Sequence, residues 1–295
     1  MNTDHLRALA AAVDEGTFEA AAAALRISGS AFSQRIKALE KDLGQVLLTR
    51  TIPVTTTVAG DRALRLARQV AVLEDEARRS MGQGGGGRTV LRVAVNVDSL
   101  ATWFVEVLRQ AVTWDDVVLQ LQTEDQGHTH ELLRSGAVVA AVGEEPQPVT
   151  GCISMELGQM GYHAVAASAL LEHYAENGVV DFGAMPVVDF GPRDTMQRSV
   201  LDRLARERGL VLDPPRHVVP SSETYLRAVE LGMGWGMFPD WQLPAGVLEG
   251  THPEMEMIPE LGSARIGLHW QRWSAGTGAL DRLTAAVQQA ARHMV

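Results

Sequence analysis

Leu25-Arg26-Ile27-Ser28-Gly29-Ser30-Ala31-Phe32-Ser33-Gln34-Arg35-Ile36-Lys37-Ala38-Leu39-Glu40 is the stretch from which the fold can be read. Ser28 reads as the N-cap of a helix that runs to about Leu43 and is stopped by Gly44. Phe32, Ile36, Leu39 and Leu43 recur at helical spacing and define one apolar face. The opposite face carries Ser30, Gln34, Lys37 and Lys41, with Ser33 and Arg35 beside it. Upstream, Asp4–Asp14 reads as a first helix and Gly16-Thr17-Phe18 breaks it. Gly16 or Thr17 caps a second, alanine-rich helix over Phe18–Leu25, and Arg26-Ile27 makes a tight turn. A short helix, a turn and a helix with polar residues at its exposed N-terminal end is the geometry of a major-groove reader. Gln suits adenine, whereas Lys, Arg and Ser suit guanine or phosphate. Three packed helices with a solvated face would give the same pattern.

The overall charge of −10 is unevenly spread. Residues 1–90 hold twelve Arg/Lys against ten Asp/Glu, a net +2, which leaves −12 on the remainder. Only the N-terminal part can therefore meet a phosphate backbone, through a local patch. A length of 295 residues implies more than one domain. The clearest boundary is Gly82-Gln83-Gly84-Gly85-Gly86-Gly87, a run that cannot hold a helix and reads as a flexible hinge. Just before it, Leu66, Val70, Leu73 and Ala77 form a short heptad-like stripe on an expected helix over Asp61–Met81. That stripe serves either to pack on its own domain or to pair with a second copy.

Beyond the glycine run, strand-like and helix-like stretches alternate: Val90–Asn96, Leu100–Gln110, Val117–Glu124, His128–Ser135 and Val138–Val142. The alternation continues through Tyr162–Ala167, Val187–Phe190, Thr195–Arg208, His217–Val219, Ser222–Glu230 and Gly234–Phe238. This pattern predicts an α/β domain with a largely parallel sheet.

The Leu25–Glu40 stretch, followed by Leu43-Gly44, Leu47-Leu48, Arg50 and Thr57-Val58-Ala59-Gly60, resembles the winged helix-turn-helix of LysR-type transcriptional regulators. A narrower resemblance, to the lysine- and arginine-responsive ArgP/LysG branch, rests on Val95–Trp103, Glu124-Asp125, Leu132-Leu133-Arg134, Ser221-Ser222-Glu223, Gly232–Pro239 and Trp270–Trp273. It implies a multidomain chain. An α-helical winged helix-turn-helix (1–60) and a linker helix with the glycine-rich hinge (61–89) precede an α/β effector domain (90–295) of two Rossmann-like, periplasmic-binding-protein-like lobes. Lobe 1 takes 90–160 and 268–295, and lobe 2 takes 161–267. Crossovers are expected near Gln159–Tyr162 and Ile266–Trp270, and a final helix over Gly278–Met294. The resemblance also implies a cytoplasmic homodimer or tetramer that binds a palindromic double-stranded operator and responds to lysine or arginine. The wing segment Thr51–Ala59 departs from the family in having no basic residue, so hydroxyls of Thr55, Thr56 or Thr57 would take over phosphate contact.

The expected DNA-binding residues are Ser28, Ser30, Ser33, Gln34, Arg35, Lys37, Arg50, Thr55 and Thr57. The expected effector residues are Asn96, Asp98, Ser99, Glu124, Asp125, Asp194, Ser221, Ser222 and Trp270. In open α/β sheets ligands sit beyond the carboxyl ends of strands, and Asn96-Val97-Asp98-Ser99 follows the first strand. Ser99 suits a ligand carboxylate, and Asp98 is either a ligand partner or the helix cap. Glu124-Asp125 ends the second strand and suits an ammonium or guanidinium, or is a solvated loop pair. Ser221-Ser222 is a plain cap or a second anion site. Trp103 and Trp270 pack the core or the ligand stem.

An enzyme is not expected: there is no nucleophile elbow, Walker loop or complete dinucleotide fingerprint. No cofactor is expected either. His128-Thr129-His130 lacks a convergent third ligand, and Cys152 is the lone cysteine, so no metal site is predicted. No secretory signal or membrane span is evident.

Overall fold

The structure is a computed structural model, and it describes residues 1–49, 51–81, 88–123, 129–192, 194–292 and 294. The glycine run 82–87, Arg50, Glu124, Asp125 and His128 lie outside the described residues. The first half of the chain runs α1 (Thr3–Asp14), α2 (Phe18–Ala24), α3 (Gly29–Leu43), β1 (Leu48–Thr49), β2 (Thr55–Thr56), α4 (Val58–Ser80), β3 (Thr89–Val95), α5 (Val97–Ala101), α6 (Phe104–Ala111), β4 (Val117–Thr123), α7 (Thr129–Ser135) and β5 (Ala140–Gly143). The second half runs β6 (Cys152–Ala167), α8 (Ser168–Tyr174), β7 (Ala175–Glu176), β8 (Val179–Val180), β9 (Val187–Asp189), α9 (Met196–Arg208), β10 (Arg216–Val218), α10 (Ser222–Glu230), β11 (Gly236–Pro239), β12 (Met255–Met257), β13 (Ser263–Trp273) and α11 (Gly278–Ala291).

The chain folds into two compact units. The first holds residues 1–95, 109–155 and 270–287; the second holds 96–108, 156–269 and 288–295. β6 and β13 each begin in one unit and end in the other.

In the first unit the three N-terminal helices close around Leu6, Leu9, Phe32, Ile36 and Leu39. The Phe18 and Phe32 rings meet edge to face at 5.2 Å. Thr17 and Ser28 cap α2 and α3 through their hydroxyls, as their sequence context implies, and Gly44 ends α3 in the left-handed region. Leu43 departs from the expected apolar face: it is 41% exposed, because the last turn of α3 runs past the core. β1 and β2 form a short antiparallel wing, tied to the α1–α2 turn by the Val54 N–H bonding to the Gly16 carbonyl at 2.8 Å.

α4 starts three residues before the expected Asp61. The Thr57 hydroxyl accepts from the Gly60 N–H at 3.0 Å and donates to the Val46 carbonyl at 2.8 Å, which caps the helix. Ala63, Leu64 and Ala67 bury one face of α4 in the N-terminal core. Arg7–Glu74 and Arg68–Asp14 ion pairs fasten α4 to α1. Of the heptad-like stripe, Leu66 (36%) and Leu73 (44%) are exposed, whereas Val70 is half-buried against the N-terminal core. Beyond α4, the parallel strands β4, β3 and β5 form the sheet of this unit. The α7–β5 turn approaches α4 at Gly136, where φ is +73° and an added Cβ would lie 3.0 Å from the Arg65 Cα.

In the second unit β6 is flanked antiparallel by β11 and β12, while β9 and β10 pair in parallel. The pair β9–β10 is a sheet of its own, and the seven-stranded sheet that holds β6, β11 and β12 as well as the parallel β4, β3 and β5 is mixed, not largely parallel. The stretch expected as one helix over Leu100–Gln110 is split into α5 and α6 by Thr102, whose φ of −118° and ψ of −107° leave helical space. Within the second unit, Tyr225 is the centre of a buried cluster with Phe190 and Phe238.

Gly60 tests the fit of α4 to the wing. An alanine Cβ there would sit 1.9 Å from the Leu47 carbonyl oxygen, so Gly60→Ala should cost about 1–3 kcal/mol or more through backbone displacement. Gly29, at the start of α3, has no atom within 4 Å of an added Cβ. Gly29→Ala should be neutral or stabilising by up to about 1 kcal/mol. Thermal melts of the full-length variants should move in these directions.

Candidate functional site

The candidate reading surface is the exposed side of α3. Ser28, Ser30, Gln34 and Lys37 are exposed there, while Ser33 and Arg35 are half-buried. Ser28 is partly committed: its hydroxyl accepts from the Ala31 N–H at 3.2 Å and lies 3.0 Å from the Ser30 hydroxyl. Arg35 forms an ion pair with Asp4 at 3.6 Å, which holds its guanidinium beside α1. In the wing, Thr55 is exposed and its hydroxyl is grouped with those of Thr49 and Thr51. Thr57 is half-buried, and its hydroxyl is taken up by the α4 cap and the Val46 carbonyl. Among the described residues of the set, Gln34 and Lys37 are thus the long side chains exposed on α3.

The second candidate site lies in the second unit, at the start of α5. β3 ends at Val95, one residue earlier than the sequence suggested, so Asn96 becomes the helix N-cap. Its Oδ1 accepts from the Ser99 N–H at 2.9 Å. Asp98 is consequently not the cap. Its Oδ2 accepts a 2.7 Å hydrogen bond from the Tyr162 hydroxyl, a partner 64 residues away that nothing in the local sequence announces. The Asn96 Nδ2, Ser99 Oγ and Trp103 Nε1 atoms are buried without hydrogen-bond partners. Asn96 and Ser99 lie in the first turn of α5, so two unsatisfied polar groups fall within this turn, while Trp103 follows the break at Thr102. Trp103 is core in its packing, edge to face with Phe104 at 5.5 Å, but carries an unused donor.

Asp194 supplies the other half of the site. Its carboxylate is fixed by the Phe190 N–H at 2.9 Å and the Met196 N–H at 3.0 Å. Burial pushes the Asp98 carboxyl above the usual range; the Tyr162 hydrogen bond pulls it back, and the Asp194 charge adds to the rise. Asp189 is also raised by burial, against the pull of Arg216, whose guanidinium bonds to it at 2.6 Å, and Asp194 adds to this rise too. Asp194 thus acts electrostatically on both Asp98 and Asp189; Asp189 is neutralised by Arg216, and Asp98 and Asp194 are left as the negative groups that attract a cation.

α10 packs against α5. Ser221 occupies the N-cap position of α10 but makes no capping bond; its hydroxyl reaches Thr224 at 3.3 Å. The Ser222 Oγ is buried without a partner. Trp270 is a core residue of the first unit: it is fully buried and its indole N–H donates to the Thr284 hydroxyl at 3.2 Å, so the expected ligand contact has no support in its surroundings. Glu124 and Asp125 lie outside the described residues. Among the described residues no cluster of three or more His, Cys, Asp or Glu is arranged to hold a metal, and no helix is long and apolar enough to cross a membrane.

Residues 3–61 match the family described as bacterial regulatory helix-turn-helix proteins of the lysR family, and residues 84–292 match the LysR substrate binding domain. The lysine export transcriptional regulatory protein LysG of Corynebacterium efficiens is 42% identical over 293 residues, covering 99% of this chain and 98% of that protein. Among solved structures, full-length LysG from Corynebacterium glutamicum with bound effector Arg superposes with a TM-score of 0.84 at 39% identity, covering 99% of this chain and 98% of that one. ArgP from Mycobacterium tuberculosis gives 0.88 at 35% identity, covering 100% and 98%.

The raised Asp98 carboxyl has a stability consequence. Because the folded state holds this proton more tightly than the unfolded state, stability falls as pH rises from the ordinary value of 3.8 through the raised one. Asp98→Asn is neutral throughout and keeps an acceptor for Tyr162. The ligand-free variant should melt higher than the parent at neutral pH, and the difference should shrink as pH falls below the ordinary carboxylate value; differential scanning calorimetry across pH measures this.

Proposed function

The chain belongs to the lysR family of bacterial regulatory helix-turn-helix proteins, a DNA-binding transcriptional regulator and not an enzyme, and from that premise we propose that its effector is a basic amino acid, lysine or arginine. The observation that carries this reading is the pairing of opposite recognition chemistries in one unit. Asp98 and Asp194 supply negative charge, while Asn96 Nδ2, Ser99 Oγ and Ser222 Oγ are buried and unpartnered. An amino acid with a cationic side chain needs both sets, because a buried charge without a partner is costly. Ser99 and Ser222, with Asn96 and Ser221, take the α-carboxylate; Asp98 and Asp194, with Glu124 and Asp125, take the ammonium or guanidinium. The relatives named for lysine export and the Arg-bound LysG structure favour the same ligand class. Trp270 is assigned no direct contact.

The DNA contacts we propose rest on the exposure of Ser28, Ser30, Gln34, Lys37 and Thr55 and on the family resemblance for Ser33, Arg35 and Arg50. Gln34 reads base edges, Lys37 and Arg35 meet phosphate, and Ser28, Ser30, Ser33, Arg50 and Thr55 support them; Thr57 shapes the wing by capping α4. The operator is a palindrome read by a homodimer, in which the Leu66, Val70, Leu73 and Ala77 stripe of α4, with Leu66, Leu73 and Ala77 exposed and Val70 half-buried, meets its copy. Residues 1–60 read DNA, 61–89 join and pair, and 90–295 sense the effector in two lobes (90–160 with 268–295, and 161–267). Control of a basic amino-acid exporter and a cytoplasmic location fit this role.

Gln34→Ala should relax preference at particular bases and cost about 1–3 kcal/mol of specific binding. Lys37→Ala should instead weaken all sequences alike and flatten the salt dependence. Footprinting and salt-series gel shifts separate the two, and an unchanged footprint for Gln34→Ala would remove α3 as the reader.

Calorimetry tests the effector. Asp194→Asn should lower arginine or lysine affinity by about 2–5 kcal/mol while leaving ligand-free operator binding near the parent value. Ser99→Ala, which loses a neutral donor, should cost less. Absence of heat with both basic amino acids, beside clear binding of an acidic or aromatic compound, would overturn the assignment.

A further inference from the structure

We propose that a cavity of about 700 Å³ in the first unit, walled by α1, α4, the start of β3 and the α7–β5 turn, is a second small-molecule site that takes a small monocarboxylate with an apolar body. It shares no residue with the effector set. Its size is that of an ordinary ligand pocket. Alanines make the space: Ala10 and Ala11 on α1, Ala67 and Ala71 on α4, and Ala137 on the turn.

Three lining residues carry buried polar atoms with no hydrogen-bond partner: Arg68 Nε, Thr89 Oγ1 and Trp273 Nε1. Trp273 is 2% and Thr89 7% exposed, so water is largely excluded from both. Guanidinium and indole N–H groups only donate, and therefore call for an acceptor. Five arginines and three acids line the cavity. Arg7, Arg68 and Arg78 are ion-paired with Glu74, Asp14 and Asp75, while Arg88 and Arg92 give their Nε–H to uncharged acceptors. With Glu74 counted, one positive charge remains in excess and favours an anion. The alanine and valine walls select an apolar body. A carboxylate on a small hydrophobic group satisfies all three demands.

The proposed dimer seam leaves this cavity open. Leu66, Val70, Leu73 and Ala77 occupy one side of α4, whereas Arg68, Ala71, Asp75 and Arg78 line the cavity from the opposite side. Arg68 already joins α1 to the effector part, through Asp14 and through the Ser135 carbonyl at 3.4 Å. An occupant here would touch the reading head, the linker helix and the sensing sheet together, and so bias their mutual placement.

Titration calorimetry of the full-length protein with benzoate and, separately, hexanoate tests the site, with benzyl alcohol as the uncharged control. Millimolar or tighter binding, one per chain, is expected for a carboxylate whether or not arginine is saturating, and benzyl alcohol should bind at least about tenfold more weakly. Ala71→Phe fills the space and should abolish binding; Trp273→Phe removes the buried donor and should weaken it about tenfold. Should either variant fail to fold, the indole N–H resonance of Trp273 in the natural chain decides: movement on titration supports the site. A stationary Trp273 signal, displacement of benzoate by arginine, binding unchanged in both variants, or no binding of either carboxylate would overturn it.

Discussion

The packing of α4 on α1 is the constraint on which the rest of the first unit depends. Ala63, Leu64 and Ala67 enter the same core as Leu6 and Leu9, and small side chains there let the two helix backbones approach closely. The flanking Arg7–Glu74 and Arg68–Asp14 pairs are partly exposed, so each adds no more than about 1 kcal/mol. Their larger contribution is to register: they fix which face of a 23-residue helix looks inward. Once that face is set, the apolar stripe must look outward, and Arg68 must reach the Ser135 carbonyl. Reading head, pairing surface and sensing sheet are then positioned by one helix.

The second unit follows a different logic. Its candidate site concentrates groups that oppose folding: Asp98 and Asp189 are held above their usual range by burial, and Asn96, Ser99 and Ser222 leave polar atoms unused. Each costs free energy without a ligand. The cluster around Tyr225 sits close by, and supplies rigidity through the Tyr225 hydroxyl, which accepts from the Gln197 amide at 2.8 Å and the Met237 N–H at 3.1 Å and donates to the Val188 carbonyl at 3.1 Å. A stable polar network beside an unsatisfied one is how a preorganised site can persist in a folded chain.

Much of this was legible in the sequence where signals are local. The caps at Thr17 and Ser28, the stop at Gly44 and the core positions Phe32, Ile36 and Leu39 depend on neighbours within a turn or two. The family resemblance pointed to the two-part architecture. What escaped was long-range or fell at a boundary. The Tyr162–Asp98 bond joins distant segments with no periodic trace. Asn96 continues the β-rich run Val90–Asn96 in sequence, and the strand's end one residue earlier makes Asn96, not Asp98, the cap. The break at Thr102 has no glycine or proline to mark it. The length of β6 was hidden because its burial changes from mixed to continuous along the strand, so no single period describes it. Trp270 carries the same composition signal whether it faces a ligand or a core.

The two-sided character of α4 also limits how this protein can change its length. A single inserted residue rotates everything beyond it by about 100°, which would swing the outward stripe and the Arg68 side out of phase with the parts they meet. Seven residues bring both faces back to within about 20° and lengthen the helix by about 10 Å. Drift in the distance between reading head and sensor is therefore stepwise: the arm can grow or shrink by heptads, and intermediate lengths are closed to it.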